Sequence, residues 1–426
     1  MTAAGALLLL ALPALGSPAA DASATPTVLA GARVLAADGS RFSDEPVFVA
    51  CSGGRIVTIG GPAPAPEGVA QIDVLGLYLV PGLVDLHTHL LLHPYDEAPW
   101  NDQVLKESLE SRTIRSVVAA RATLEAGFTT VRDLGTEGAA FADVALRDAV
   151  ASGLVPGPRI LAATRAIVTT GGYGPLGFDP RFDVPRGAQA ADGPDGVRRA
   201  VREQIAAGAD WIKLYADYRR REGAAATPTF TEDEIRAAVD EARSAGLPVA
   251  AHATTPEGMS RAARAGVRTI EHGTDATRET LALLASRGVV LCPTVAAVEA
   301  ISLQSGWRQG LPEPPRLEKA KALVRLAIGA GVTVACGSDA GVFRHGDNAR
   351  EIELLSECGL TNADALRAAT SAAARVLGLE REIGAISPGF AADLVALPRD
   401  PLADATALRE PVLVVKAGRV TLDRRR

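Results

Sequence analysis

Six dispersed side chains have the types and the placement to gather divalent metal ions. They are His87 and His89 in PGLVDLHTH, Lys213 in DWIKLY, His252 in AAHA, His272 in TIEHG and Asp339 in CGSDAG. Imidazole nitrogen and carboxylate oxygen suit zinc and its neighbours. Each residue ends an apolar stretch, and a residue at the C-terminal end of a barrel strand points into a shared mouth. His87 and His89 are two apart, so on a strand they project to one face and can hold one ion together, with Asp85 deeper on the same face. The six-histidine complement is concentrated here, because only His93 and His345 lie elsewhere.

Lys213 needs its own chemistry. An ammonium has no lone pair and repels cations, so this lysine must be altered or paired. Reaction of the amine with carbon dioxide gives a carbamate, an anionic oxygen ligand able to bridge two metals, and desolvation favours the neutral amine that this reaction requires. The plain alternative is a salt bridge to Asp339 or Asp217.

The elements that must position these groups follow from pattern. Eight apolar strand candidates alternate with amphipathic segments: 83–89, 129–135, 159–164, 210–216, 248–253, 268–273, 289–294 and 332–340. This alternation predicts an α/β fold, a (β/α)8 TIM barrel over 81–382. Thr231 with Glu234, Asn348 with Glu351 and Thr361 with Asp364 have capping-box spacing or a close relative of it. Segments 23–80 and 383–426 read as short strands with tight turns, Gly53 and Gly54 among them, and predict a small β-sandwich built from both chain ends, each covering the other's open edges. Two connections, 165–195 and about 296–315, are long for barrel loops and are expected over the mouth.

With 426 residues, 47% hydrophobic and 22% charged, the chain is of ordinary globular composition. A net charge of -6 supplies no basic field for a phosphate backbone, so a nucleic-acid partner is not expected. The apolar run from Gly5 to Leu12, followed by small residues, predicts an export signal over 1–22 and a periplasmic or secreted protein, although no Lys or Arg precedes the run. Beyond it nothing is apolar for long enough to span a bilayer. Cys51, Cys292, Cys336 and Cys358 lack paired spacing and read as buried thiols.

Taken together, PGLVDLHTH, the fourth-strand lysine, AHA, EHG and GSDAG resemble the amidohydrolase superfamily, in the branch of prolidase-like dipeptidases and imidazolonepropionase-like sequences. The resemblance implies that His87, His89 and Asp339 hold a more buried metal, His252 and His272 a more exposed one, and that carbamylated Lys213 bridges them, with zinc the expected ion. Asp339 would then take the proton of the attacking water and pass it to the departing amine. The resemblance further implies a substrate with a free carboxylate, gripped after the fourth strand by Tyr215 with Arg220 or Arg221; Tyr218 and Arg219 share that loop, and any of these arginines has solvated loop charge as its plain alternative. Tyr173, in IVTTGGYGPLGF, stands where many prolidase-like relatives carry His, so proline specificity does not transfer directly. Tyr173 is expected at the polar end of a ligand, and His345 is either a further substrate contact or a loop residue positioning the next helix.

The expectation is a two-metal hydrolase releasing a C-terminal amino acid from a dipeptide or N-acyl amino acid, ochratoxin-type amides included. Cyclic-amide hydrolysis and deamination are the alternatives; deaminases of this superfamily lack the lysine. A non-catalytic binding protein would require lost ligands, and none is missing. Pairing of such barrels into a homo-oligomer is compatible with this reading.

Overall fold

The computed structural model describes residues 26–60, 69–179 and 181–425. The segment expected to be an export signal lies outside the described residues. Among the described residues, no helix is long and apolar enough to cross a membrane.

Both chain ends contribute to one eight-stranded sheet. Thr27–Val34 pairs antiparallel with Val47–Ser52, which turns back through Gly53 and Gly54 into Arg55–Gly60. Both turn glycines have positive φ, 56° and 74°, as a two-residue hairpin requires. Tyr78–Pro81 joins the other edge of this unit and pairs antiparallel with Leu394–Leu397, which continues through Leu413–Lys416 to Arg419–Asp423. Leu29, Val49 and Leu79 from the first end share one buried cluster with Leu394, Ala396 and Leu413 from the second. Neither end could bury these side chains alone, which is why residues over 300 positions apart in the chain pair as neighbours.

Between the ends lie parallel strands separated by helices. Leu83–Thr88, Phe128–Asp133 and Arg159–Ala162 form one set. Ile212–Tyr215, Val249–Ala253, Thr269–His272 and Val290–Cys292 pair successively in a second. The amides of Asp210 and Trp211 donate to Ala162 O, joining the two sets. Helices begin on side-chain caps: Ser108, Thr255 and Thr277 each accept from an amide three residues on, and Thr231 with Glu234 completes a reciprocal capping box. Thr361 likewise accepts from the amide of Asp364.

Three local expectations are corrected. The eighth strand candidate, 332–340, forms no continuous ladder. It makes single bridges at Val334 with Leu291 and at Ala340 with Thr88, because Gly337 packs on Cβ of His87 and Asp339 turns to a φ of 63°. It still hydrogen-bonds both ways: Leu291 N reaches Thr333 O, Leu86 N reaches Cys336 O, and His89 N reaches Ala340 O. Asn348 does not cap a helix. Its amide instead donates to buried Asp85 Oδ2 at 2.8 Å, and Ala349 opens the helix Arg350–Glu357 without a side-chain cap. The connection after the seventh strand contains a helix, Val295–Gln304, started by Thr294 at positive φ and tied down by Glu351, whose Oε2 accepts from Ala296 N at 2.7 Å. That segment is apolar around most of its circumference, so it carried no amphipathic signal. All four cysteines are free and buried.

Candidate metal centre and substrate pocket

Strand ends, a turn and a buried support network bring His87, His89, His252, His272 and Asp339 together. His87 lies on the fully buried strand Leu83–Thr88, and His89 follows it. Asp85, one pleat below, has both carboxylate oxygens occupied: Oδ1 accepts the amides of His87 and Ser338, and Oδ2 accepts Ser338 Oγ and Asn348 Nδ2. This carboxylate therefore staples the first strand to the 332–340 segment and has no oxygen left over for an ion. Across the staple, Asp339 Oδ1 stands 3.5 Å from His87 Nε2 and 3.3 Å from His89 Nε2. His272 ends its strand at a φ of 71° and Asp339 sits at 63°. Neither residue type adopts that conformation cheaply, and such strain gathers where surrounding structure fixes a side chain for function.

Ligating atoms of His87, His272 and Asp339 all lie within 4.8 Å of one another. His272 packs against His87 at 5.2 Å and His252 at 4.6 Å between ring centroids. Distal ring nitrogens are committed: His87 Nδ1 to Glu271 Oε2 at 2.9 Å, His89 Nδ1 to Gly135 O at 2.9 Å, and His272 Nδ1 to Thr294 Oγ1 at 2.7 Å. Each such bond fixes a ring and leaves Nε2 for the site. Burial holds His87 and His252 well below the usual imidazole range, and with it the positive charge of Lys213 lowers His87 further. Burial likewise brings His272 down to about 4. Neutral imidazoles are what a metal needs. Burial alone would raise Asp339, but His87 and His89 outweigh it and hold the carboxylate well below its usual range. For His89 the burial penalty is overcome by the hydrogen bond and charge of Asp339, which push it up to about 9.

Lys213 is 1% exposed, and burial lowers its ammonium pKa. Neither sequence-level pairing forms: among the described residues no carboxylate lies within ion-pair distance of it, and Asp217 accepts the amides of Thr254 and Thr255 instead. Its Nζ sits 5.4 Å from the ring centroid of Tyr215. This donor set fits divalent ions: neutral imidazoles at His87, His252 and His272, an ionised carboxylate at Asp339 and a lysine whose amine is driven toward the neutral form. His89 holds its proton against Asp339 and would give it up to bind an ion.

An aromatic wall adjoins the ligands. Tyr215 stacks on His252 at 4.5 Å, Tyr173 packs on Tyr215 at 4.4 Å, and Tyr218 and Trp100 close on Tyr173 at 4.9 and 5.2 Å. Arg220 and Arg221 are exposed on the hairpin Asp217–Arg219 and Ala226–Pro228; Arg220 reaches Pro228 O at 3.4 Å, and Arg219 lies over Tyr218. His345 is buried, its Nε2 on Leu92 O at 3.0 Å, and burial lowers it to about 4. Its Nδ1 has no partner among the described residues.

Sequence reasoning missed four residues. Glu271 orients His87; Glu137 accepts both Tyr173 Oη at 2.5 Å and Trp100 Nε1 at 2.9 Å on Oε2; Arg112 donates to the carbonyls of Leu91, Thr136 and Glu137. Trp100 is the fourth. Glu271 had a legible signal, an acid inside an apolar strand beside a ligand; Glu137 had only its place after the second strand in DLGTEG.

The Amidohydrolase family pattern matches residues 78–421. The chain is 30% identical to ochratoxinase of Aspergillus niger over 364 residues, 79% of this chain and 73% of that protein. A Xaa-Pro dipeptidase crystal structure with methionine bound superposes with a TM-score of 0.84 at 31% identity, covering 93% of this chain and 99% of the other. A prolidase complexed with N-methylphosphonate-L-proline superposes at 0.82 with 33% identity, over 93% and 99%.

Proposed function

The chain belongs to the amidohydrolase family and is a hydrolase of C–N bonds, and on that premise we propose that it cleaves an amide to release an amino acid with a free carboxylate. The substrate class is a dipeptide or N-acyl amino acid, with ochratoxin-type amides included. The prolidase and dipeptidase likenesses support the first, the ochratoxinase likeness the second. The proposal extends to a closed (β/α)8 barrel, supported by the hydrogen bonds of residues 333–340 to both Leu291 and the first strand, and to export, supported by the apolar run Gly5–Leu12.

One observation carries the reading: ligating atoms of His87, His272 and Asp339 lie within 4.8 Å of one another, with His89 Nε2 3.3 Å from Asp339 and the His252 ring 4.6 Å from that of His272. His87, His89 and Asp339 would hold one zinc ion, His252 and His272 a second, and Lys213 as a carbamate would lie between. Bound there, the pair supplies Lewis acidity toward a scissile carbonyl and toward water. Asp339 takes the water's proton at a carboxylate oxygen and returns it to the departing amine nitrogen. Tyr215 and Tyr218 wall the pocket, and the basic hairpin beside them brings positive charge to a leaving carboxylate.

The test is a panel of Xaa-Pro, Xaa-Arg, Xaa-Phe and N-acetyl amino acids, with ochratoxin, assayed for released amino acid on zinc-loaded protein. No release from any member overturns the proposal. Carbon-13 NMR of protein equilibrated with labelled bicarbonate checks Lys213 separately: a carbamate resonance lost in Lys213→Met is expected.

A further inference from the structure

The helix Val295–Gln304 is started by a residue that does not cap it. Thr294 holds a left-handed backbone, φ 52° and ψ 45°, and its hydroxyl makes no bond to the helix. A β-branched residue adopts that conformation only under strain, and threonine at a helix start ordinarily caps with its side chain. Here the hydroxyl is committed elsewhere, to His272 Nδ1 at 2.7 Å. The helix amide is served instead from a different element: Glu351 Oε2 accepts from Ala296 N at 2.7 Å. Thr294 and Glu351 are both fully buried, so bulk water does not replace either bond.

Fastening Ala296 N to Glu351 holds the turn at Thr294 open to the left and leaves its hydroxyl on His272. Arg350, next to Glu351, grips the same helix one turn further on, with Nε and Nη2 each 2.8 Å from a carboxylate oxygen of Glu299. Two residues earlier, Asn348 Nδ2 donates to Asp85, which holds the amides of His87 and Ser338. The short segment 348–351 therefore reaches both sides of the candidate metal centre: through Asp85 to His87 and to Ser338 beside Asp339, and through Thr294 to His272. Burial raises the Glu351 carboxyl to about 8, against the lowering effect of the Ala296 and Val295 amides. What the helix takes from it is an acceptor oxygen and not a charge. Its other oxygen, Oε1, has no hydrogen-bond partner among the described residues, so the carboxyl acts through Oε2.

We propose that Glu351 is a positioning residue for His272: by holding the Ala296 amide it keeps Thr294 in its left-handed turn, and the Thr294 hydroxyl then fixes the His272 ring with Nε2 free for a metal. The inference rests on the amide-hydrolase reading and adds to it a residue on a helix remote from the ligands.

A double-mutant cycle tests it. Glu351→Leu removes the acceptor and Thr294→Val the hydroxyl, whereas Glu351→Gln and Thr294→Ser keep them. Long-range proton–nitrogen NMR of metal-free protein, with the His272 signals assigned through His272→Asn, reads the ring tautomer without metal or turnover. One dominant tautomer, protonated at Nδ1, is expected in the wild type, Glu351→Gln and Thr294→Ser, and a mixture in Glu351→Leu and Thr294→Val. Chelator competition should show zinc affinity lowered about 10 to 100-fold in each of the last two, with little further loss when they are combined. Any other tautomer state in the wild type, an unchanged tautomer in Glu351→Leu, or losses that add in the double variant overturn the inference and leave Glu351 as a packing residue. Glu351→Asp, one methylene short of Ala296 N, repeats the comparison with a smaller change should Glu351→Leu not fold. Thr294→Gly suits the left-handed backbone but lacks the hydroxyl, and it should match Thr294→Val; wild-type zinc affinity in it overturns the inference. Absence of hydrolysis defeats the hydrolase reading, and the tautomer comparison still decides the positioning role.

Discussion

Glu271 Oε2 lies 2.9 Å from His87 Nδ1, while Glu271 Oε1 receives Arg132 Nη2 at 3.0 Å, and all three side chains are within 1% of complete burial. One carboxylate therefore fixes the tautomer of a metal-ligand candidate and neutralises a buried guanidinium. Arg132 is held in turn by Leu86 O and by the Trp211 ring, 4.3 Å from its centroid.

Glu271→Gln should lower zinc affinity by about 10 to 100-fold, since the orienting acceptor for His87 is weakened. Chelator competition measures it. Glu271→Ala also strands the Arg132 charge, and a stability loss of about 3–5 kcal/mol is expected in urea unfolding. Wild-type zinc affinity in Glu271→Gln would show that His87 needs no fixed tautomer.

Asp339→Asn removes the proposed proton acceptor, which stands 3.3 Å from His89, while keeping side-chain volume. Turnover should drop by about 10²-fold or more. Metal content measured on the same sample separates this loss from ligand loss. Full activity in the variant contradicts the proton-transfer role.

Arg112 is 2% exposed and donates to Leu91 O, Glu137 O and Thr136 O at 3.0, 2.7 and 2.9 Å. Arg112→Met leaves those carbonyls without donors. A loss of about 1–3 kcal/mol is expected from denaturant midpoints.

Lys416 ties the strand Leu413–Lys416 to Gly157 O at 2.7 Å. Burial brings its ammonium down from 10.5 to about 8, against the raising effect of Asp393. The unfolded chain therefore holds this proton more tightly than the native one between about pH 8 and 10.5. In that window the Lys416 contribution makes stability rise with pH, and below it the cost of burying the charge is constant. Lys416→Met should flatten that rise. Equal slopes for both proteins, from urea titrations across the window, would falsify the assignment.

Much of the site was legible because ligand type and strand-end position are local properties. His87, His89, Lys213, His252, His272 and Asp339 each stand inside an apolar run, and the structure brings ligating atoms of His87, His272 and Asp339 within 4.8 Å of one another, with His89 and His252 beside them. Asn348 misled because its spacing to Glu351 imitates a cap, whereas the buried charge of Asp85 was the stronger claim on its amide. The helix Val295–Gln304 was hidden because it is enclosed on most sides and lacks a polar stripe.

Composition, hydrophobic period and the chemistry of single residues fixed the α/β plan, the joining of two remote chain ends and the candidate ligand types. Tertiary structure decided which atoms are already occupied: Asp85 as a staple, Glu271 as the support of His87, Tyr173 spent on Glu137. The reason is physical. A periodic pattern records which side of an element is buried, but a hydrogen bond between side chains 36 or 184 residues apart leaves no pattern until folding brings donor and acceptor within 3 Å.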